Sequence, residues 1–194
     1  MPMSHVLSEK TRRLPGEAGV WIFVGADMLM FGLFFTSFVI ERSKNVELYN
    51  LSQQALNFNY GGINTLILLT SSWFVVLAVH AAKMDKVRHV AYLLAAGALC
   101  GLAFCVLKVV EYTEKISHGI SMLTNDFFMY YFILTGIHFF HVIVGTVMLF
   151  ILCRKALAGT YHSRNVLWLE SGATYWHMVD LLWIILFPLL YLMR

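Results

Sequence analysis

Two histidines three residues apart, His138 and His141, sit in the stretch ILTGIHFFHVIVGT, where no other side chain ionises. Side chains at i and i+3 are neighbours on a helix surface, so a helix here points both imidazoles one way. A second set follows in LESGATYWHMVD: Glu170, Thr174 and His177 at i, i+4 and i+7, then Asp180 almost one turn further. Asp27 is the one carboxylate in GVWIFVGADMLMFGLFF. Such groups can ligate a metal or haem, hold a proton near neutral pH, or join helices by hydrogen bonds. Two imidazoles on one side of one helix fit a haem clasped between two helices poorly. The expectation is therefore that this chain holds no metal, and that the group glues helices, with or without proton handling.

Membrane helices must position these residues. Of 194 residues, 59% are hydrophobic and 13% charged, and the mean hydropathy is +0.71. A soluble domain is about half apolar and about a quarter charged. Five apolar runs, at 19–40, 58–82, 90–110, 127–153 and 166–193, stand out. Each reaches the ~20 residues that cross ~30 Å of hydrocarbon at ~1.5 Å per residue. None alternates with period two, which argues against a membrane barrel. The fold class is all-α: an integral membrane bundle of five transmembrane helices. The first run is too long for a signal-peptide core and lacks the small-residue cleavage pattern. The formal charge of +3 comes without a basic run, so nucleic acid is not an expected partner. Cys100, Cys105 and Cys153 read as small core residues rather than a metal motif. The domain reading is a polar lead over 1–16 and a five-helix domain over 17–194.

Sidedness follows from the short loops. Lys10, Arg12 and Arg13 precede the first run; Lys83, Lys86 and Arg88 join the second to the third; Arg154, Lys155 and Arg164 join the fourth to the fifth. The other side carries Arg42 and Lys44 offset by Glu41 and Glu47, then Lys115 and Arg194. An excess of Lys and Arg marks cytoplasmic loops, so the N-terminus is expected in the cytoplasm and the C-terminus outside. With that topology Asp27 lies ~12 Å from the cytoplasmic edge, His138 and His141 ~9–13 Å from it, and His177 and Asp180 ~10 and ~15 Å above Glu170. Shared depth predicts one hydrogen-bonded cluster of Asp27, His138, His141, His177 and Asp180, with Glu170 beneath. Buried charges in a membrane generally face the bundle and pair.

Lys108 and Glu111, near the outer end of the third run, are expected to form a snorkelling pair at the interface. Gly97 and Gly101 make a GxxxG spacing that admits a neighbouring helix. Trp21, Tyr60, Tyr112, Trp168 and Tyr191 read as an interfacial belt. The link over 45–59 is expected to lie along the outer surface.

Taken together, EYTEKISHGI, FILTGIHFFHVIVGT and LESGATYWHMVDLLWIILFPLLYLM resemble subunit III of haem–copper terminal oxidases, and GVWIFVGADMLMFGLFF resembles that family's first common helix. The resemblance covers about Gly19 to Met193 and is closest to the short, five-helix forms, found in quinol oxidases and in the subunit-III-like accessory protein of nitric oxide reductase. It implies a non-catalytic subunit in a bacterial inner membrane. Haem and copper are then held by the partner, catalytic subunit I, which this chain steadies while assisting proton uptake. Other oxidase subunits and membrane lipids are implied partners, with a bound phospholipid expected. Asp27 falls where many members carry a carbodiimide-reactive Glu. Glu111 and Tyr112 match an EY pair, and His138, His141, Glu170, His177 and Asp180 match the later motifs. Lys108 departs from the pattern, where a Gln or Glu is more usual. The alternative is the nitric oxide reductase accessory role. From other classes, a proton-coupled transporter would show inverted repeats and broken helices, and a membrane cytochrome would show haem absorbance.

Overall fold

A computed structural model describes residues 16–163 and 165–193. Most of the polar lead, and Lys10, Arg12, Arg13, Arg164 and Arg194 of the sidedness argument, lie outside the described residues. Six α-helices follow: α1 (Ala18–Lys44), α2 (Val46–Gln54), α3 (Phe58–Lys83), α4 (Val87–Ser117), α5 (Asp126–Leu157) and α6 (Leu167–Phe187). All but α2 are long and apolar enough to cross a membrane, α6 by running on through Leu192. The five predicted spans are therefore present, most with polar turns added at their ends. Asn57 and Asn125 start α3 and α5 by accepting hydrogen bonds from the Asn59 and Phe128 amides, both at 3.0 Å, satisfying donors a helix start leaves free. Pro188 lacks the N–H that the α-ladder needs. The chain continues past it as one π-helical turn, Pro188–Leu192, closed by the Met193 amide on the Pro188 carbonyl at 3.0 Å.

Helices α3, α4, α5 and α6 close a ring, each packed on the next and α6 back on α3, while α1 lies outside against α5 and α6. Trp176 of α6 fills the ring's interior. A Cβ at Gly101 of α4 would come 2.8 Å from its indole, and one at Gly145 of α5 would come 2.7 Å from it. Bare backbone on two helices is what lets the indole in. The GxxxG pair thus serves two neighbours: Gly97 faces α3, its carbonyl accepting the Ser71 hydroxyl at 2.8 Å, whereas Gly101 faces α5 and α6. The outer surface is hydrocarbon, with Leu29 and Leu33 73% and 74% exposed. In water such faces would aggregate; in lipid they are solvated.

At the end where α1 begins, Lys83 meets Glu170 at 2.6 Å, and the Ser163 amide donates to Asp85 at 2.6 Å. At the opposite end the link over 45–59 carries a helix, α2, that buries Tyr49, Ser52 and Gln53 and leaves its other face exposed. The Tyr49 ring stands edge-on to Phe38 and Phe127 at 5.4 and 5.6 Å, and burial pushes its phenol up to about 12. Gln53 donates to the Leu190 carbonyl at 3.0 Å, and Arg42 to the Met193 carbonyl at 3.1 Å. These donors reach carbonyls at the helix end, where the ladder supplies no partner.

Candidate functional site

Asp27 on α1 and His141 on α5 form the one predicted contact of the cluster that is made. Asp27 Oδ2 lies 2.9 Å from His141 Nε2, both side chains being about nine-tenths buried. The contact is one of ion-pair distance and does not meet the geometry of a hydrogen bond. The other ring nitrogen, Nδ1, sits 2.8 Å from the Ile137 carbonyl. A carbonyl only accepts, which assigns a proton to Nδ1. Nε2 is thereby the nitrogen turned to the carboxylate, so two titratable groups face each other in a low-dielectric site. Phe31 stands edge-on to the imidazole at 5.9 Å and Tyr175 stacks on it at 6.5 Å.

The remaining members scatter, and the single cluster is corrected. His138 is fully buried inside the ring, where Nε2 donates to the Val179 carbonyl at 3.0 Å and the imidazole packs on Trp183 and Phe104 at 5.1 and 5.7 Å. His177 turns toward α3, its Nδ1 2.7 Å from the Ser72 hydroxyl. Asp180 is buried, with Ser72 near its carboxyl but without the alignment of a hydrogen bond. Glu170 pairs with Lys83 and also accepts the Gly16 amide at 3.4 Å. Depth alone grouped these residues, and azimuth separates them. Residues at i and i+3 differ by about 60° around the axis. That is enough to send His141 outward to α1 and His138 inward. Thr174 donates to the Glu170 carbonyl within its own helix at 2.9 Å and joins nothing. Among the described residues, no three His, Cys, Asp or Glu side chains converge to hold a metal ion.

Lys108 and Glu111 are also corrected. They do not snorkel: they are 0% and 1% exposed and pair at 2.8 Å inside the bundle. The Glu111 carboxylate accepts the Tyr191 and Tyr131 hydroxyls at 2.6 and 2.8 Å. The ammonium lies over the Trp183 ring at 4.9 Å and the Tyr131 ring at 5.3 Å. Aromatic faces attract a desolvated cation. Tyr131, Trp183 and Tyr191 close over the pair and bury it. Tyr191 therefore leaves the expected interfacial belt to become a ligand of Glu111, and Tyr112 bonds Thr135 at 2.6 Å. Trp21 and Trp168 keep 38% and 57% exposure. Tyr131, Trp183 and Ser72 are the partners that sequence reading missed. Of the three cysteines, Cys153 is buried and Cys100 and Cys105 half-buried, all unpaired.

Comparison with known proteins fits this architecture. The family model of cytochrome c oxidase subunit III matches residues 13–194. Cytochrome c oxidase subunit 3 of Thermostichus vulcanus is 31% identical over 176 residues, covering 90% of this chain and 86% of that one. Quinol oxidase subunit 3 of Bacillus subtilis (strain 168) is 28% identical over 179 residues, covering 90% and 85%. A haem–copper oxidase subunit I+III of Aeropyrum pernix is 27% identical over 187 residues, covering 91% of this chain and 22% of that longer one. The match takes in all five crossing helices, the Asp27–His141 contact and the Lys108–Glu111 pair, and on that basis the chain belongs to the cytochrome c oxidase subunit III family.

Proposed function

We propose that this chain works as a non-catalytic membrane subunit that packs against the haem- and copper-bearing catalytic subunit of a respiratory oxidase and steadies it. The family match over nearly the whole chain carries the reading. A relative named subunit I+III supports subunit I as the partner, since one polypeptide there bears both names. The relatives compared are named as oxidase subunits, which favours the oxidase over the nitric oxide reductase alternative. Lys83, Lys86, Arg88, Arg154 and Lys155 gather at the end where α1 begins, and their sign supports a cytoplasmic N-terminus in a bacterial inner membrane. The C-terminus is then outside. A groove of about 450 Å³ between α1, α5 and α6, walled by apolar side chains with Lys155 and Trp168 at its edge, suits the expected phospholipid.

Purification in mild detergent followed by an optical spectrum tests the assignment. Haem absorbance in stoichiometric complex with this chain is expected, and a chain that purifies with no haem-bearing partner overturns it.

The buried Asp27–His141 pair, two titratable side chains in contact, supports a part in proton uptake by the complex. Asp27→Ala strands a buried imidazole, at about 1–3 kcal/mol for an unsatisfied group, and is expected to loosen the subunit. Asp27→Asn keeps the shape and is expected to assemble. If the pair feeds protons, the assembled Asn variant turns over more slowly, most clearly at high pH, where protons are scarce. A pH–rate profile overlaying that of the unmodified complex leaves the pair a structural contact only.

A further inference from the structure

The outward faces of α4 and α5 at membrane depth are apolar, as at Leu102, Val106, Val147 and Phe150, and lipid satisfies them. The seam between α3 and α6 is different. His177 lies about ten residues into α6, hence ~15 Å into a ~30 Å core. Its Nδ1 is taken by Ser72, but Nε2 has no partner among the described residues and is open to the surface. His177 and Thr174 form the wall shared by two cavities. One, of about 290 Å³, lies between α3 and α6 and runs down to the Lys83–Glu170 pair. The other, of about 350 Å³, lies between α1 and α6 and is lined by Val24, Met28 and Leu181. A ring nitrogen left facing hydrocarbon loses its hydrogen bond with water and gains nothing. Polar groups exposed at this depth mark a protein neighbour rather than lipid.

We infer that the seam around His177 is where the catalytic subunit docks: one of its transmembrane helices lies along α3 and α6 and presents a hydrogen-bonding side chain to His177 Nε2. The inference rests on the oxidase-subunit reading above. It commits to a polar partner because Nε2 needs one in either tautomer, as acceptor or as donor. The two cavities flanking the ring give the side chains of such a helix room to seat, and the Lys83–Glu170 pair at the seam's end offers charge to its flanking loop.

The test places a photoreactive residue at Val76 or Leu181, 50% and 46% exposed beside the two cavities, and at Leu102, 47% exposed on α4, as control. The haem-bearing complex is isolated first, and its spectrum checked. Crosslinks to the catalytic subunit are expected from Val76 and Leu181, with lipid adducts alone from Leu102. Lipid adducts alone from Val76 and Leu181, a crosslink to a second copy of this chain, or an equal yield of catalytic-subunit product from Leu102 overturns the inference. A preparation without haem refutes the oxidase reading itself and this inference with it. In the assembled complex, His177→Leu is expected to weaken retention of the catalytic subunit in a detergent wash roughly fivefold, the order of one lost hydrogen bond. Retention equal to the unmodified complex, together with crosslinks at the seam, would remove the polar contact from the proposal and so overturn it as stated.

Discussion

Lys108→Met is expected to destabilise the chain by about 3–5 kcal/mol, because it leaves the Glu111 carboxylate buried and without its counter-charge. At roughly 2–4 °C per kcal/mol for a chain of this size, the melting temperature of the detergent-solubilised protein falls by roughly 10 °C. The two tyrosine hydroxyls on Glu111 soften the loss without replacing the charge. The double variant Lys108→Met, Glu111→Gln removes both charges and is expected to regain most of the stability, since an uncharged, shape-matched replacement of a buried ion pair is often neutral or better. Thermal unfolding of the three proteins side by side decides it. If the single variant melts with the unmodified protein, water reaches the carboxylate and the pair is not a closed unit.

Gly145→Leu carries the second large effect. Its first carbon alone would sit 2.7 Å from the Trp176 ring, and Gly101 already brings the α4 backbone against the indole from elsewhere in the ring interior. The indole is fully buried and is approached by backbone at both glycines. Overpacking usually costs about 1–3 kcal/mol and occasionally more, and this site belongs at or above the upper end because backbone must shift. Loss of most of the folded, complex-bound subunit is expected. Trp176→Phe in the same chain frees volume and is expected to restore part of it, a coupling that a double-mutant cycle reads directly. Gly97→Ala makes a useful contrast: its Cβ meets a Val75 methyl at 3.2 Å, and a methyl group on a side chain can yield by a few tenths of an ångström. A Gly145→Leu chain as stable as Gly97→Ala would show that the ring interior is looser than drawn.

Sequence alone determined the number of crossing helices, because hydrocarbon thickness and helix rise set a length that composition reveals directly. It also determined the family, through the order of the HxxHV and WHxVD motifs, and through depth it placed Asp27 level with both His138 and His141 without choosing between them. Azimuth and covering elements belonged to the tertiary structure. His138 and His141 lie on one helix face by spacing, yet the packing of α1 against the outside of α5 gives one of them a carboxylate and leaves the other to a backbone carbonyl. Lys108 and Tyr191 each read correctly as residues near a helix end. What buries Lys108 is the set of rings Tyr112, Tyr131, Trp183 and Tyr191, drawn from α4, α5, α6 and the π-turn after Pro188. Whether a charge near a membrane surface reaches water depends on what lies over it, and that is a property of the assembled chain, since most of the covering residues come from other elements.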